Sequence, residues 1–280
     1  MIDAGTGSET GKLFAVVRAL TASEIEVTGL ISSQWNTHPD APDNPVQTSQ
    51  LLNEKILELM NRTDIPSPKG SDTPFGFQGA NYHLTNEASS FYIKEAEKIK
   101  KGEKINILVL GSLTNIAYAV SQDPRIASYI SLYFTGFKYN PKTSTWNKND
   151  TNVRYDLDAV DLLLNTPDLE MHILPSDITN DFIFSQDEIL SLMEGKGEPW
   201  NFLISQWKRP LHLHTRLPMP EVAVVEALIN PKYTKSTEVD TPPENFRRKV
   251  HVISYVNKHM MRSAYLNTLK KQRKEVISPP

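Results

Sequence analysis

The chain has no cysteine, which excludes disulfides, thiolate metal sites and a cysteine nucleophile together. No apolar run approaches the roughly 20 residues needed to cross a bilayer, so a membrane-spanning helix is not expected. Charge of one sign is also missing: 30 Lys and Arg stand against 33 Asp and Glu, a formal net charge of -3. Without a basic field there is little to attract a phosphate backbone, and a nucleic-acid partner is disfavoured. Neither a basic n-region nor an apolar h-region opens the chain, and Met1-Ile2-Asp3 leaves almost no strand before the first loop. Such a start fits a mature or trimmed form, so the compartment stays open between cytoplasm and export with a signal removed.

What remains is 280 residues, 39% of them hydrophobic, enough to bury a large core. One domain spanning 1–280 is the expectation, because apolar periodicity resumes after each proline-rich and loop-like stretch, at 36–45, 64–82, 137–152 and 231–245. Leu13, Phe14, Val16, Val17 and Leu20 recur at helical spacing after Ser8, a candidate N-cap. Glu26 to Ser32 reads as a strand. Val46, Leu51, Leu52, Ile56, Leu57, Leu59 and Met60 make the stripe of a helix over 46–61. Further helices are expected over 85–100, 113–120 and 156–164, and further strands over 105–110, 129–134 and 169–174. Alternation at this spacing predicts an α/β fold with a mainly parallel, twisted central sheet flanked by helices. Ligands in such folds bind beyond the carboxyl ends of the strands. The loops at 3–12, 32–45, 111–115 and 135–152 all follow expected strands and should meet there.

Gly7 to Lys12 ends in Gly-Lys at a helix start, which invites comparison with a P-loop. That motif requires Gly where Thr6 stands and Ser or Thr where Leu13 stands, so two defining positions fail. The basic run Lys270-Lys271-Gln272-Arg273-Lys274 reads as a solvated helix end.

Four segments in order are more specific: DAGTGSETGKLFAVV at 3–17, VTGLISSQWN at 27–36, LGSLTNIA at 110–117 and DTNVRYDLDA at 150–159. Together they resemble the inosine/uridine-preferring nucleoside hydrolases, over roughly residues 2–265. The resemblance implies the fold of that family and hydrolysis of N-glycosidic bonds of ribosyl compounds. It also implies roles by position. Asn36, Asp150 and Asn152 fall where the family contacts the sugar, Asp150 being a shorter acid than the family's Glu. Thr114 falls where a backbone carbonyl binds calcium, Ser112 replacing the proline of GPLTN. Glu221 falls where a late Asp completes the calcium shell. Some members protonate the departing base with a His just before that Asp, a position held here by Pro220.

The family opens with D-x-D-x-G-x-x-x-D-D, a loop that binds calcium and ribose. Asp3 and Gly7 match, but the second Asp falls on Gly5 and the closing pair on Gly11 and Lys12. Calcium takes six to eight oxygens, several of them carboxylates, and a single adverse charge near 4 Å is worth on the order of 4 kcal/mol. Bound calcium is therefore not expected, and Asp3 is left as a residual catalytic candidate. Lys12 has two readings, a side chain that snorkels to solvent or an ammonium in the metal's place, paired with Asp3 and Glu221.

Asn36, Asn152, Thr114 and Asn115 also have structural readings, as residues that satisfy loop backbone or cap a helix. His83, His212 and His214 lie in loops able to border the pocket, as do Trp35, Trp146 and Trp207, which are also candidates for core or lid. Two functions follow. The first is a hydrolase of nucleosides or related ribosyl compounds, impaired or altered by the loss of the calcium loop. The alternative is a catalytically silent protein that binds a ribosyl ligand or a partner. A small-molecule ribosyl ligand is expected under either, and a homo-oligomer is left open.

Overall fold

Side chains alternate across a strand, and that alternation divides the apolar residues of this chain between two cores. In the computed structural model, which describes residues 1–76, 85–208 and 215–271, β1 (Ile2–Ala4), β2 (Leu30–Ser32), β3 (Ile105–Leu110) and β4 (Ile130–Thr135) come first. The pair β5 (Lys138–Asn140) and β6 (Thr145–Asn147) follows, then β7 (Glu170–Leu174), a second pair β8 (Ile183–Ser185) and β9 (Arg216–Pro218), and β10 (Thr234–Asp240) with β11 (Lys249–Val256). Seven of these form one sheet in the order β10-β11-β7-β4-β3-β1-β2, parallel throughout except for β10 against β11. Leu30, Leu108 and Leu110 face one core, and Ile31, Ile107, Val109, Leu132 and Phe134 the other.

The helices are α1 (Thr10–Leu20), α2 (Pro45–Leu59), α3 (Glu87–Ala96), α4 (Thr114–Gln122), α5 (Thr151–Arg154), α6 (Leu157–Leu164), α7 (Ser176–Thr179), α8 (Gln186–Met193), α9 (Trp200–Trp207), α10 (Pro220–Ile229) and α11 (Lys258–Lys271). Their starts carry local signals. Asn44 accepts from the Gln47 amide ahead of Pro45 in α2, Asn86 and Ser89 form a capping box at α3, and Asp156 accepts from the Ala159 amide at α6.

The expected architecture is present, with differences that have physical reasons. The stretch Met1-Ile2-Asp3 does hold a strand, and β1 lies between β2 and β3. Its brevity hides it from pattern reading. The strand expected from residue 26 begins only at Leu30. The segments at 137–152 and 231–245, expected as loops, contain the β5–β6 pair and β10. Their polar composition suits a small hairpin and an edge strand, neither of which needs two apolar faces. Ser8 is not the N-cap of α1: Glu9 occupies that position without a side-chain cap bond.

All eleven residues of α1 are buried, so the two cations it carries must find partners inside the protein. Arg18 Nε donates to Glu226 Oε1 on α10 at 2.6 Å, with side chains 4% and 0% exposed, and Asn230 Nδ2 donates to the other oxygen at 2.8 Å. Removing one member of such a pair strands the other charge. Glu226→Ala is therefore expected to lower unfolding stability by about 3–5 kcal/mol in urea titrations. A loss below about 1 kcal/mol would show that Arg18 finds another partner or water.

Candidate functional site

The loops after β1, β2, β4, β6 and β7, with β9 and the start of α10, enclose a cleft of about 630 Å³. That size suits a small molecule. Its walls include Ser8, Glu9, Trp35, His38, Asp150, Asn152 and Glu221. Other concavities lie beside the β10–β11 turn and at the amino ends of the strands near Met1 and Ile105, away from the edge where parallel sheets place ligands.

Lys12 sits at the base of this arrangement and is fully buried, so the solvent-facing reading does not hold. Its Nζ donates to Ser8 Oγ at 2.9 Å and to Asn152 Oδ1 at 3.0 Å, and stands 5.1 Å from the Tyr155 ring centre. Burial pulls its pKa down, but Tyr155, Glu9, Glu221 and Asp150 together hold it above the ordinary lysine value. Asn152 links cation to anion, since its Nδ2 donates to Glu221 Oε1 at 3.3 Å and to the Thr135 carbonyl at 3.2 Å. Glu221 is 1% exposed, and burial pushes it up to about 7 against the pull of Lys12. Its Oε2 has no hydrogen-bond partner. Asp150 accepts from the Asn152 amide at 3.0 Å, and burial likewise raises its pKa.

Asp3 belongs to a separate cluster and is not among the residues lining the cleft. Tyr92 Oη donates to its Oδ2 at 2.8 Å, and Asn115 Nδ2 at 3.1 Å. Burial raises Asp3 to about 7, with Tyr92, Asn115 and Ser33 opposing. The expected Lys12 pairing with Asp3 is thus replaced by bonds to Ser8 and Asn152. A lysine rooted in the first turn of α1 reaches the cleft loops, while Asp3 is already held by β2, α3 and α4 side chains and backbone.

Asn36 does not line the cleft either: its Nδ2 donates to the Asp72 carbonyl at 2.9 Å and fixes the adjacent loop. The Thr114 hydroxyl bonds Asp156 Oδ2 at 2.6 Å and accepts from Gln34, outside the cleft lining. Of the tryptophans only Trp35 lines the cleft, its Nε1 held by the Pro45 carbonyl and Ser49 Oγ. Trp207 packs in the core against Phe14, and Trp146 against Phe137 and Tyr139. His83, His212 and His214 lie outside the described residues.

The sequence reading missed Tyr92 and Tyr155, whose distance along the chain hides their contacts with Asp3 and Lys12. It also missed His38, three residues after Trp35 and edge-on to it at 5.6 Å. Position in the post-β2 loop was the available signal.

Among the described residues no three His, Asp or Glu converge as metal ligands. A side chain at Gly5 meets nothing closer than 3.6 Å, but at Gly11 its Cβ lies 2.9 Å from the Pro218 carbonyl. A carboxylate at position 11 therefore requires the β9–α10 backbone to shift.

The family model described as inosine-uridine preferring nucleoside hydrolase matches residues 1–273. A protein named probable uridine nucleosidase 2, from Oryza sativa subsp. japonica, is 27% identical over 252 residues, 78% of this chain and 71% of that protein. Among solved structures, a plant nucleoside hydrolase superposes with a TM-score of 0.73 at 16% identity, covering 96% of this chain and 98% of that one. A purine-preferring ribonucleoside hydrolase from Gardnerella vaginalis gives 0.70 at 15%, covering 98% of each.

Two variants test the geometry. Asn152→Ala leaves Lys12 and Glu221 without their bridge and is expected to cost roughly 1–3 kcal/mol in urea unfolding. A change near zero would mean that water replaces the amide. Asp3 is protonated in the native state and ionised in the unfolded chain between about pH 4 and about 7, so it makes stability fall as pH rises through that window. Tyr92→Phe removes a bond that favours the ionised form and extends the window upward. The variant should lose more stability near pH 8 than near pH 5, and equal losses would contradict the Tyr92–Asp3 coupling.

Proposed function

Since the chain belongs to the inosine-uridine preferring nucleoside hydrolase family, we propose that residues 1–280 form one domain that binds a nucleoside or related ribosyl compound and hydrolyses its N-glycosidic bond slowly, without calcium. The observation that carries this reading is the buried Lys12 ammonium, fixed by Ser8 and Asn152 beside Glu221. A divalent ion there would face a positive charge in place of carboxylates and would lack ligands.

The chemistry assigned to the cleft uses this chain's own groups. Asp150 and the second lone pair of Asn152 Oδ1 accept bonds from sugar hydroxyls; Asn36, engaged elsewhere, does not. Glu221, with a pKa near neutrality and an unpaired oxygen, takes the proton of the attacking water as its oxygen bonds to C1′; the C1′–N bond breaks, its electron pair leaves with the base, and solvent protonates the base. The same Lys12 that completes the site also slows it. A ribosyl cation-like transition state gains from carboxylates and loses from an ammonium; an adverse charge near 4 Å is worth on the order of 4 kcal/mol, about three decades in rate. The second reading, a silent ribosyl-binding protein, draws on the same observation, because both Asn152 N–H donors and one Oδ1 lone pair are already engaged by Thr135, Glu221 and Lys12.

Ribose release from uridine and inosine, measured with and without chelator, tests the proposal, together with calcium titration. Slow release unaffected by chelator and no calcium binding below millimolar are expected. Micromolar calcium binding, or turnover that a chelator abolishes, would overturn it. Lys12→Asp with Gly5→Asp, leaving Gly11 unchanged, is expected to gain calcium affinity.

A further inference from the structure

The cleft has one-sided charge. Glu9, Asp40, Asp150 and Glu221 line it, and among the described lining residues there is no Lys or Arg. Lys12, beneath the wall, offsets part of this charge but is turned to Ser8, Asn152 and the Tyr155 ring. His38 is the other basic group, and its Nδ1 already accepts the Asp40 amide at 3.1 Å.

An acidic lining alone says little, but a second observation points the same way. Glu221 is 99% buried by its 1% exposure, and its Oε2 is an acceptor with no partner. Buried acceptors are nearly always satisfied, so an orphan in a cleft wall marks a place for a ligand donor or cation. Trp35 forms another part of the wall, with its indole fixed through Nε1, and a fixed indole attracts a cationic ring. Position 220, next to Glu221 in the lining, is a proline and has no proton to give a departing base.

We infer that the cleft prefers a ribosyl compound whose heterocycle carries a fixed positive charge, a ribosyl pyridinium or similar N-ribosyl cation, over a neutral nucleoside. The inference rests on the reading of the cleft as a ribosyl site and adds the charge of the base. Hydrolysis of such a compound balances with water alone. A water oxygen bonds to C1′, the C1′–N bond breaks, and its electron pair stays on the ring nitrogen, which leaves neutral. The proton of the water passes through a cleft carboxylate to solvent. No acid is needed for the leaving group, in keeping with the proline at 220.

Nicotinamide riboside and its dihydro form provide the test, since they share ribose and carboxamide and differ in fixed charge. By calorimetry the cationic form is expected to bind at least about tenfold more tightly, ~1.4 kcal/mol, with the preference narrowing as salt is raised. It should narrow as well in the rim variant Glu9→Gln/Asp40→Asn and further when Asp150→Asn is added. Equal binding of both forms, tighter binding of the dihydro form, or a preference untouched by these substitutions overturns the inference. If uridine is still bound or cleaved in that case, the ribosyl reading stands by itself. If neither riboside nor uridine binds, both fail.

Discussion

A buried ammonium sets the terms for this site. Lys12 lies on a helix with no solvent face, so its charge must be balanced within reach of its own side chain. Ser8, Asn152, the Tyr155 ring and Glu221 do this, drawing the loop after β1, the turn before α6 and the start of α10 toward one point. The loops that wall the cleft are thus positioned by a fixed internal cation. Of the residues that balance that cation, Ser8, Asn152 and Glu221 also line the cleft, which ties the stability of the site to its chemistry.

The second cation of α1 shows the same constraint met without a cleft. Arg18 is paired with Glu226, and both oxygens of that carboxylate are hydrogen-bonded. Around Lys12 the balance is incomplete, because Asn152 stands between the ammonium and Glu221 and one Glu221 oxygen has no partner. That difference separates a structural pair from a site able to receive a ligand. Close packing reinforces it: Gly11 touches the Pro218 carbonyl region so tightly that a larger side chain there would move the wall of the cleft.

Much of the fold was legible because its signals are local. Strands β3, β4 and β7 lie where short apolar runs placed them, and α2 and α6 start where Asn44 and Asp156 cap them. Three-residue β1 and the polar edge strand β10 were not legible, since neither has length or alternation enough to register. For the site, motif order brought Asp150, Asn152, Glu221 and Lys12 into consideration, and these four do gather. Asn36, Thr114 and Asp3 do not join them, because each is held by a partner distant in sequence: the Asp72 carbonyl, Asp156 and Tyr92. A sequence shows which side chains are present; which of them neutralise one another is a property of the packed chain.

The central claim is that the Lys12 ammonium, and not a metal ion, supplies the positive charge beneath the cleft. Its most direct test is the nitrogen-15 resonance of the Lys12 side chain in the intact protein near neutral pH, with and without millimolar calcium. The account predicts an ordered, fully protonated ammonium whose hydrogens exchange slowly and whose signal calcium leaves unchanged. A Lys12 signal that is mobile and fast-exchanging, or one that calcium shifts or displaces, would contradict it.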